Sequence, residues 1–216
     1  MKRKETKVYY FSVEGYTEKW YLHWLQQTIN ATTSSKFCVK LDSSVQPDPR
    51  ERVKRLSTMG KATVTHIVDV ESSDDEYERR FQETLHNMKA AECMGKRISY
   101  GLGYSNYTFE LWMILHKADC NGCLSHRNQY LSHLNKAYGE NFENLSQYKQ
   151  QANFERILRK LTLDDVRQAI QRAKKIEDRN AEEQKLKEHY GYKYYDHNPS
   201  LSIWKIIEEI LKDCGF

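Results

Sequence analysis

Two short β-forming runs each end in acidic residues, and that arrangement narrows the possible folds more than any other feature of the chain. Val8-Tyr9-Tyr10-Phe11-Ser12-Val13 runs into Glu14-Gly15-Tyr16-Thr17-Glu18, and Thr65-His66-Ile67-Val68 runs into Asp69-Val70-Glu71. Carboxylates at the C-terminal ends of parallel strands point into one crevice, where the ligands of open α/β sheets bind. Bare carboxylates crowded together repel each other, and a divalent cation is the usual remedy. The expectation is a metal-dependent phosphoryl-transfer site.

Strand and helix patterns alternate through the first half. Residues 8–13, 37–45, 63–70 and 97–102 read as strands, and residues 17–29, 49–59 and 75–93 as helices between them. Thr17 suits the N-cap of the first helix, and Asp48-Pro49 suits the cap and first turn of the second. Short connections and strand–helix alternation favour a parallel sheet with right-handed crossovers and helices on both faces. From residue 108 onward the pattern is helical, over 109–116, 125–138, 142–161, 162–188 and 201–211. The expected architecture is an α/β core over residues 1–118 with a helical C-terminal portion, 119–216, packed on it.

The 216 residues carry a net charge of only +4, which permits nucleic-acid binding without arguing for it. No run of about 18 apolar residues offers a membrane span. The basic residues near Met1 are not followed by the apolar core of a signal peptide, so a cytoplasmic location is expected, with no membrane partner. Five cysteines, odd in number and irregularly spaced, read as reduced thiols.

Glu14 precedes a glycine that allows a tight turn, and it reads either as a metal ligand or general base or as ordinary decoration of a helix N-terminus. Asp69 and Glu71 lie two apart, which in extended backbone places both carboxylates on the same side. Asp74 and Asp75 follow, and these acids also read as a solvated loop capping the next helix. His116, Cys120, Cys123 and His126 have ligand types that suit zinc, but the spacing is compressed for one tetrahedral site, and incidental thiols are the expectation. Basic stretches at 50–55, 156–160 and 167–175 read as solvated helix faces or phosphate contacts. Tyr190, Tyr192, Tyr194 and Tyr195 form a tyrosine-rich turn that suits a nucleic-acid platform, a partner interface or packing on the core.

A strand ending in Glu-Gly followed by a later strand ending in Asp-x-Asp resembles the Toprim domain of topoisomerases, primases and OLD-type nucleases. More narrowly, the chain resembles the RloB-like, abortive-infection-associated branch. The matching residues are Val13 to Glu18, Val68-Asp69-Val70-Glu71, the Ser105-Asn106-x-x-Phe109-Glu110-Leu111-Trp112-x-x-x-His116 element, and Asn198-Pro199-Ser200. They span nearly the whole length in the expected order. The resemblance implies a Toprim-like fold in which Glu14, Asp69 and Glu71 hold Mg²⁺ or Mn²⁺, with Glu18 and Asp74 as further metal ligands and Glu110 as a further catalytic residue. One departure is that Glu71 stands where the family pattern has aspartate, which keeps the charge but reaches one methylene further.

The same resemblance implies a nuclease acting on RNA or DNA as the effector of a prokaryotic anti-phage system, partnered by an ABC/AAA-type ATPase and open to homo-oligomerisation. The chain has no G-x4-G-K-[ST] loop of its own. The alternative is a catalytically inactive Toprim module that binds nucleic acid or docks on the ATPase. Glu110 and His116 are six residues apart, about 240° around a helix, and so do not share one small site.

Overall fold

A computed structural model describes residues 4–58, 60–72, 74–122, 124 and 126–216. The chain enters through β1 (Thr6–Val13) and α1 (Tyr16–Ala31), continues into β2 (Cys38–Val45) and α2 (Pro49–Arg55), then β3 (Ala62–Asp69), α3 (Asp75–Glu92) and β4 (Ile98–Asn106). The helical part follows as α4 (Glu110–Leu115), a 3₁₀ turn at Arg127–Gln129, α5 (Tyr130–Tyr138), α6 (Leu145–Tyr148), α7 (Gln151–Leu158) and α8 (Leu163–Glu183). A hairpin of β5 (Lys187–His189) and β6 (Tyr192–Tyr194), then β7 (Ser200–Leu201) and α9 (Ile203–Cys214), complete it.

The main sheet has the order β2-β1-β3-β4-β7. Its first four strands are parallel, and β7 pairs antiparallel to β4, so the sheet is mixed rather than wholly parallel. Alternation along the strands divides the core into two layers. Phe11, Val13 and Ile67 face a layer built with α1, α4, α5, α7, α8 and α9. Val64 and Val68 face a layer built with α2, α3 and the tyrosines of the hairpin. The C-terminal portion therefore supplies a sheet strand and much of the first layer. Trp112, fully buried, meets Tyr21 of α1 and His116 edge-on at the centre of that layer.

Several boundaries differ from the sequence reading. Gly15, not Thr17, stands at the cap position of α1. The helix expected over 49–59 ends at Arg55, where Leu56 turns extended. The long helix expected over 142–161 is two: Asn144 caps α6 through the Gln147 N–H, and the extended backbone of Gln150 separates it from α7. The helix expected to reach residue 188 stops at Glu183, because Tyr190-Gly191, both at positive φ (54° and 87°), close a two-residue hairpin turn. Tyr192 and Tyr194 of that hairpin are core residues, and Tyr190 at its tip lies against His86. The tyrosine-rich turn is thus mainly a lid on the α3 layer. Most basic stretches are likewise occupied in ion pairs, including Arg52 with Asp42, Arg156 and Lys160 with Glu140, and Lys174 with Glu208.

Candidate metal centre

The strand register builds the site. Val13 lies beside Ile67 and Asp69 beside Ser105, so the residues that follow β1, β3 and β4 emerge at one rim. Glu14, one step past Val13, reaches across, and its Oε2 accepts a hydrogen bond from the Asp69 N–H at 3.1 Å. Asp69 shares the parity of Ile67 and faces the layer of α1 and α4. From α1 comes Glu18, only 5% exposed, whose Oε2 accepts from the Thr17 hydroxyl at 3.1 Å. From the start of α4 comes Glu110, fully buried, which accepts from the Thr108 hydroxyl. Lys149, just after α6, reaches in to pair with Glu110 Oε1 at 3.2 Å.

This gathering has too much negative charge. Burial pushes the Glu14 carboxyl up to about 7, and the neighbouring Glu18 and Glu71 add to the rise against the hydrogen bond from Asp69. Burial, then the charges of Glu18, Glu110 and Glu14, hold Asp69 well above the usual carboxylate range. Glu18 is raised for the same reason, with Lys149 opposing. Burial disfavours the Lys149 ammonium, but Glu110, Asp69 and Glu18 outweigh it and raise its pKa. Among the described residues, one ammonium thus answers four carboxylates. Asp69 as a residue keeps some solvent contact, yet its Oδ1 is buried with no hydrogen-bond partner among the described residues.

Glu71 departs from the expected geometry. Its backbone is left-handed, with φ of 61°, and its N–H is tied to the Tyr107 carbonyl at 2.9 Å. The extended spacing that would align it with Asp69 ends there. Its carboxylate instead pairs with Arg127 at 3.0 Å, at the mouth of the site, still near enough to raise Glu14. Asp74 stands exposed before α3, where its Oδ2 accepts from the Ser72 hydroxyl at 2.7 Å. Among the described residues Asp74 makes no contact with the acid cluster. Lys149 was not among the residues singled out from sequence. It lies in the stretch read as one helix, and the break after α6 is what turns it inward.

His116 is structural. Its Nδ1 must donate to the Trp112 carbonyl (2.9 Å), which leaves Nε2 to accept from the Tyr21 hydroxyl (3.1 Å). Both ring nitrogens are engaged, and burial lowers the pKa to about 4, so the ring stays neutral. Cys120 is buried, with its thiol pushed up to about 11. Cys123 of the compressed His/Cys group lies outside the described residues.

Gly15 leaves room for the Glu18 carboxylate. A Cβ at this position would sit 2.8 Å from Glu18 Oε2. Gly15→Ala is expected to push the Glu18 carboxylate off the first turn of α1, and a crystal structure or ¹³C-detected carboxyl titration of the variant would register the change. An unmoved Glu18 with an unchanged titration would show that the turn absorbs the methyl.

A mostly parallel sheet flanked by helices, with acids converging at the ends of β1 and β3, defines a Toprim-like α/β protein. The RloB-like protein family model matches residues 9–210, nearly the whole chain, and the protein belongs to that family. No curated protein and no solved structure matches it.

The donor set suits a hard divalent cation. Every candidate ligand is a carboxylate oxygen, as Mg²⁺ and Mn²⁺ prefer, and Asp69 Oδ1 is a buried acceptor without a donor. As arranged, no three acidic, histidine or cysteine side chains among the described residues share one ligand position. The acids are held instead by the Asp69 N–H, the Thr17 and Thr108 hydroxyls and Lys149.

Proposed function

We propose that this protein is a divalent-metal-dependent nuclease that hydrolyses phosphodiester bonds in RNA or DNA. The observation that carries this reading is the crowding of Glu14, Glu18, Asp69 and Glu110 at the strand ends with one ammonium between them. Glu14 and Asp69 would hold Mg²⁺ or Mn²⁺, with Glu18 and Glu110 behind them and Glu71 at the mouth. A bound cation would supply activation of water and charge stabilisation at the scissile phosphate. Lys149, with its side chain 39% exposed, can swing towards solvent when another cation neutralises Glu110.

Family membership supports a role as the effector subunit of a prokaryotic anti-phage, abortive-infection system. The absence of a phosphate-binding G-x4-G-K-[ST] loop fits a division of labour with an ABC/AAA-type ATPase that senses infection. A second reading is a catalytically inactive module that docks on nucleic acid or on the ATPase. The ion pair of Glu71 with Arg127 favours it, because that pair draws the second acid of the Asp-x-Glu element away from Asp69.

The test is a titration of Mg²⁺ and Mn²⁺ with labelled RNA and DNA, comparing the wild type with Glu14→Ala and Asp69→Ala. Metal-dependent cleavage lost in both variants is the expected result. Cleavage that survives both would remove the metal site, and no cleavage by wild type with its ATPase partner present would leave the inactive module.

A further inference from the structure

We propose that the solvent-facing side of α1 is the path of a single-stranded nucleic acid, whose bases stack in turn on Tyr16, Trp20 and Trp24 as the strand leaves the acid cluster. The inference rests on the nuclease reading for its substrate class and adds where the strand lies. These three aromatics are spaced i, i+4, i+8 on one face of α1. Tyr16 is 60% exposed, and Trp20 and Trp24 are only partly buried. Large aromatic side chains lined up on a wet helix face call for an explanation that isolated exposed residues do not. The row begins two residues after Glu14, at the rim of the acid cluster, and runs along the face of α1 turned away from Glu18. Tyr16 and Trp20 lie 5.7 Å apart, and Trp20 leans on Phe154 at 5.9 Å.

Beyond them α1 and α7 enclose a groove of about 300 Å³, lined by Trp20, His23, Trp24, Leu158 and Arg159 among others. Its lining carries one acid, Glu155, and one base, Arg159. Most basic side chains of the C-terminal helices are engaged in ion pairs, whereas Arg159 on this groove and Lys19 on α1 have no acidic partner among the described residues. Glu155, the acid at the groove, accepts from Gln151 at 2.8 Å. Successive aromatics are about 6 Å apart along the helix axis. That exceeds the 3.4 Å spacing of bases along a duplex strand and suits a splayed single strand, whose every base offers a face for stacking.

The experiment uses the intact protein in EDTA, with RNA and DNA oligonucleotides of about ten residues, so that binding is read apart from cleavage. Tryptophan fluorescence and the anisotropy of end-labelled strands are followed together. Wild type should be quenched on binding, while Trp20→Leu and Trp24→Leu should each bind at least about tenfold more weakly. Arg159→Gln, at an exposed and unpaired position, should weaken all sequences alike and reduce the salt slope by about one.

Single strands that bind all these variants equally would overturn the proposal, as would a duplex preferred over its own single strand. So would self-association of the wild type that Trp24→Leu abolishes without any effect on oligonucleotides, since the groove would then seat a second copy. Tryptophan-dependent binding without cleavage would leave the strand path standing and sink only the nuclease. Cleavage indifferent to both tryptophans would do the reverse.

Discussion

Asp69→Asn is expected to lower metal-dependent cleavage by at least about 1,000-fold while making the metal-free protein more stable at about pH 8. Loss of cleavage alone would follow from many substitutions. The opposite movement of stability is what the charge count demands. Asp69, Glu14 and Glu18 all have folded pKa values above their ordinary ones. A carboxyl of that kind holds its proton longer in the folded chain than in the unfolded one. Between the two values the folded state binds more protons, so stability falls as pH rises.

For Glu14 the window runs from 4.5 to about 7. Its loss across that window is on the order of 3 kcal/mol, partly returned wherever a cation binds. Removing the charge of Asp69 relieves part of the repulsion, worth roughly 1 kcal/mol, or about 2–4 °C in thermal midpoint for a chain of this size. At about pH 5, where Glu14 is largely protonated, the gain should shrink. Mn²⁺ should raise the wild-type midpoint more at about pH 8 than at about pH 5, and should do little for Asp69→Asn. Differential scanning calorimetry at the two pH values, with and without Mn²⁺, decides the matter. A variant less stable than wild type at the higher pH would mean that the acids are not mutually repelling.

Lys149→Met is expected to do the converse. It keeps the aliphatic stem but leaves Glu110, fully buried, facing Asp69 and Glu18 with no cation between them. Breaking a fully buried pair costs about 3–5 kcal/mol. The lysine side chain is 39% exposed, so water screens it, and about 2 kcal/mol is the expected loss at about pH 8. The penalty should fall at about pH 5, as Glu14 and its raised neighbours Asp69 and Glu18 take up protons, and should be largely offset by Mn²⁺ at the higher pH. Urea denaturation of the two proteins in both buffers measures it. A loss that is the same at both pH values and insensitive to Mn²⁺ would assign Lys149 a packing role and detach it from the acid cluster.

These two residues also mark how far local pattern reaches. Asp69 was legible because it closes an apolar run of strand character, and a strand end in a parallel sheet has a known side and a known rim. Glu14 and Glu18 were legible for the same reason at the end of β1. Glu110 came from the motif around Phe109, Glu110 and Trp112, whose helical spacing also separates it from His116. Glu71 was placed with Asp69 by period-two reasoning that assumes extended backbone, and its φ of 61° voids the assumption one residue after the strand ends. Lys149 sits in a run with no visible break, where helical periodicity continues across the junction that the extended Gln150 creates between α6 and α7.

Periodicity and end signals are properties of neighbouring residues, so the chain alone announced a strand–helix alternation, a crowded set of acids at two strand ends and the family to which it belongs. Which distant segment neutralises those acids is a matter of packing. The α6–α7 junction brings Lys149 to Glu110, the 3₁₀ turn brings Arg127 to Glu71, and a two-residue strand from near the C-terminus closes the sheet beside β4. Each of those contacts joins residues at least 39 positions apart in the chain. No local pattern encodes such a meeting, because it is decided by which apolar faces bury each other once the helices and strands exist.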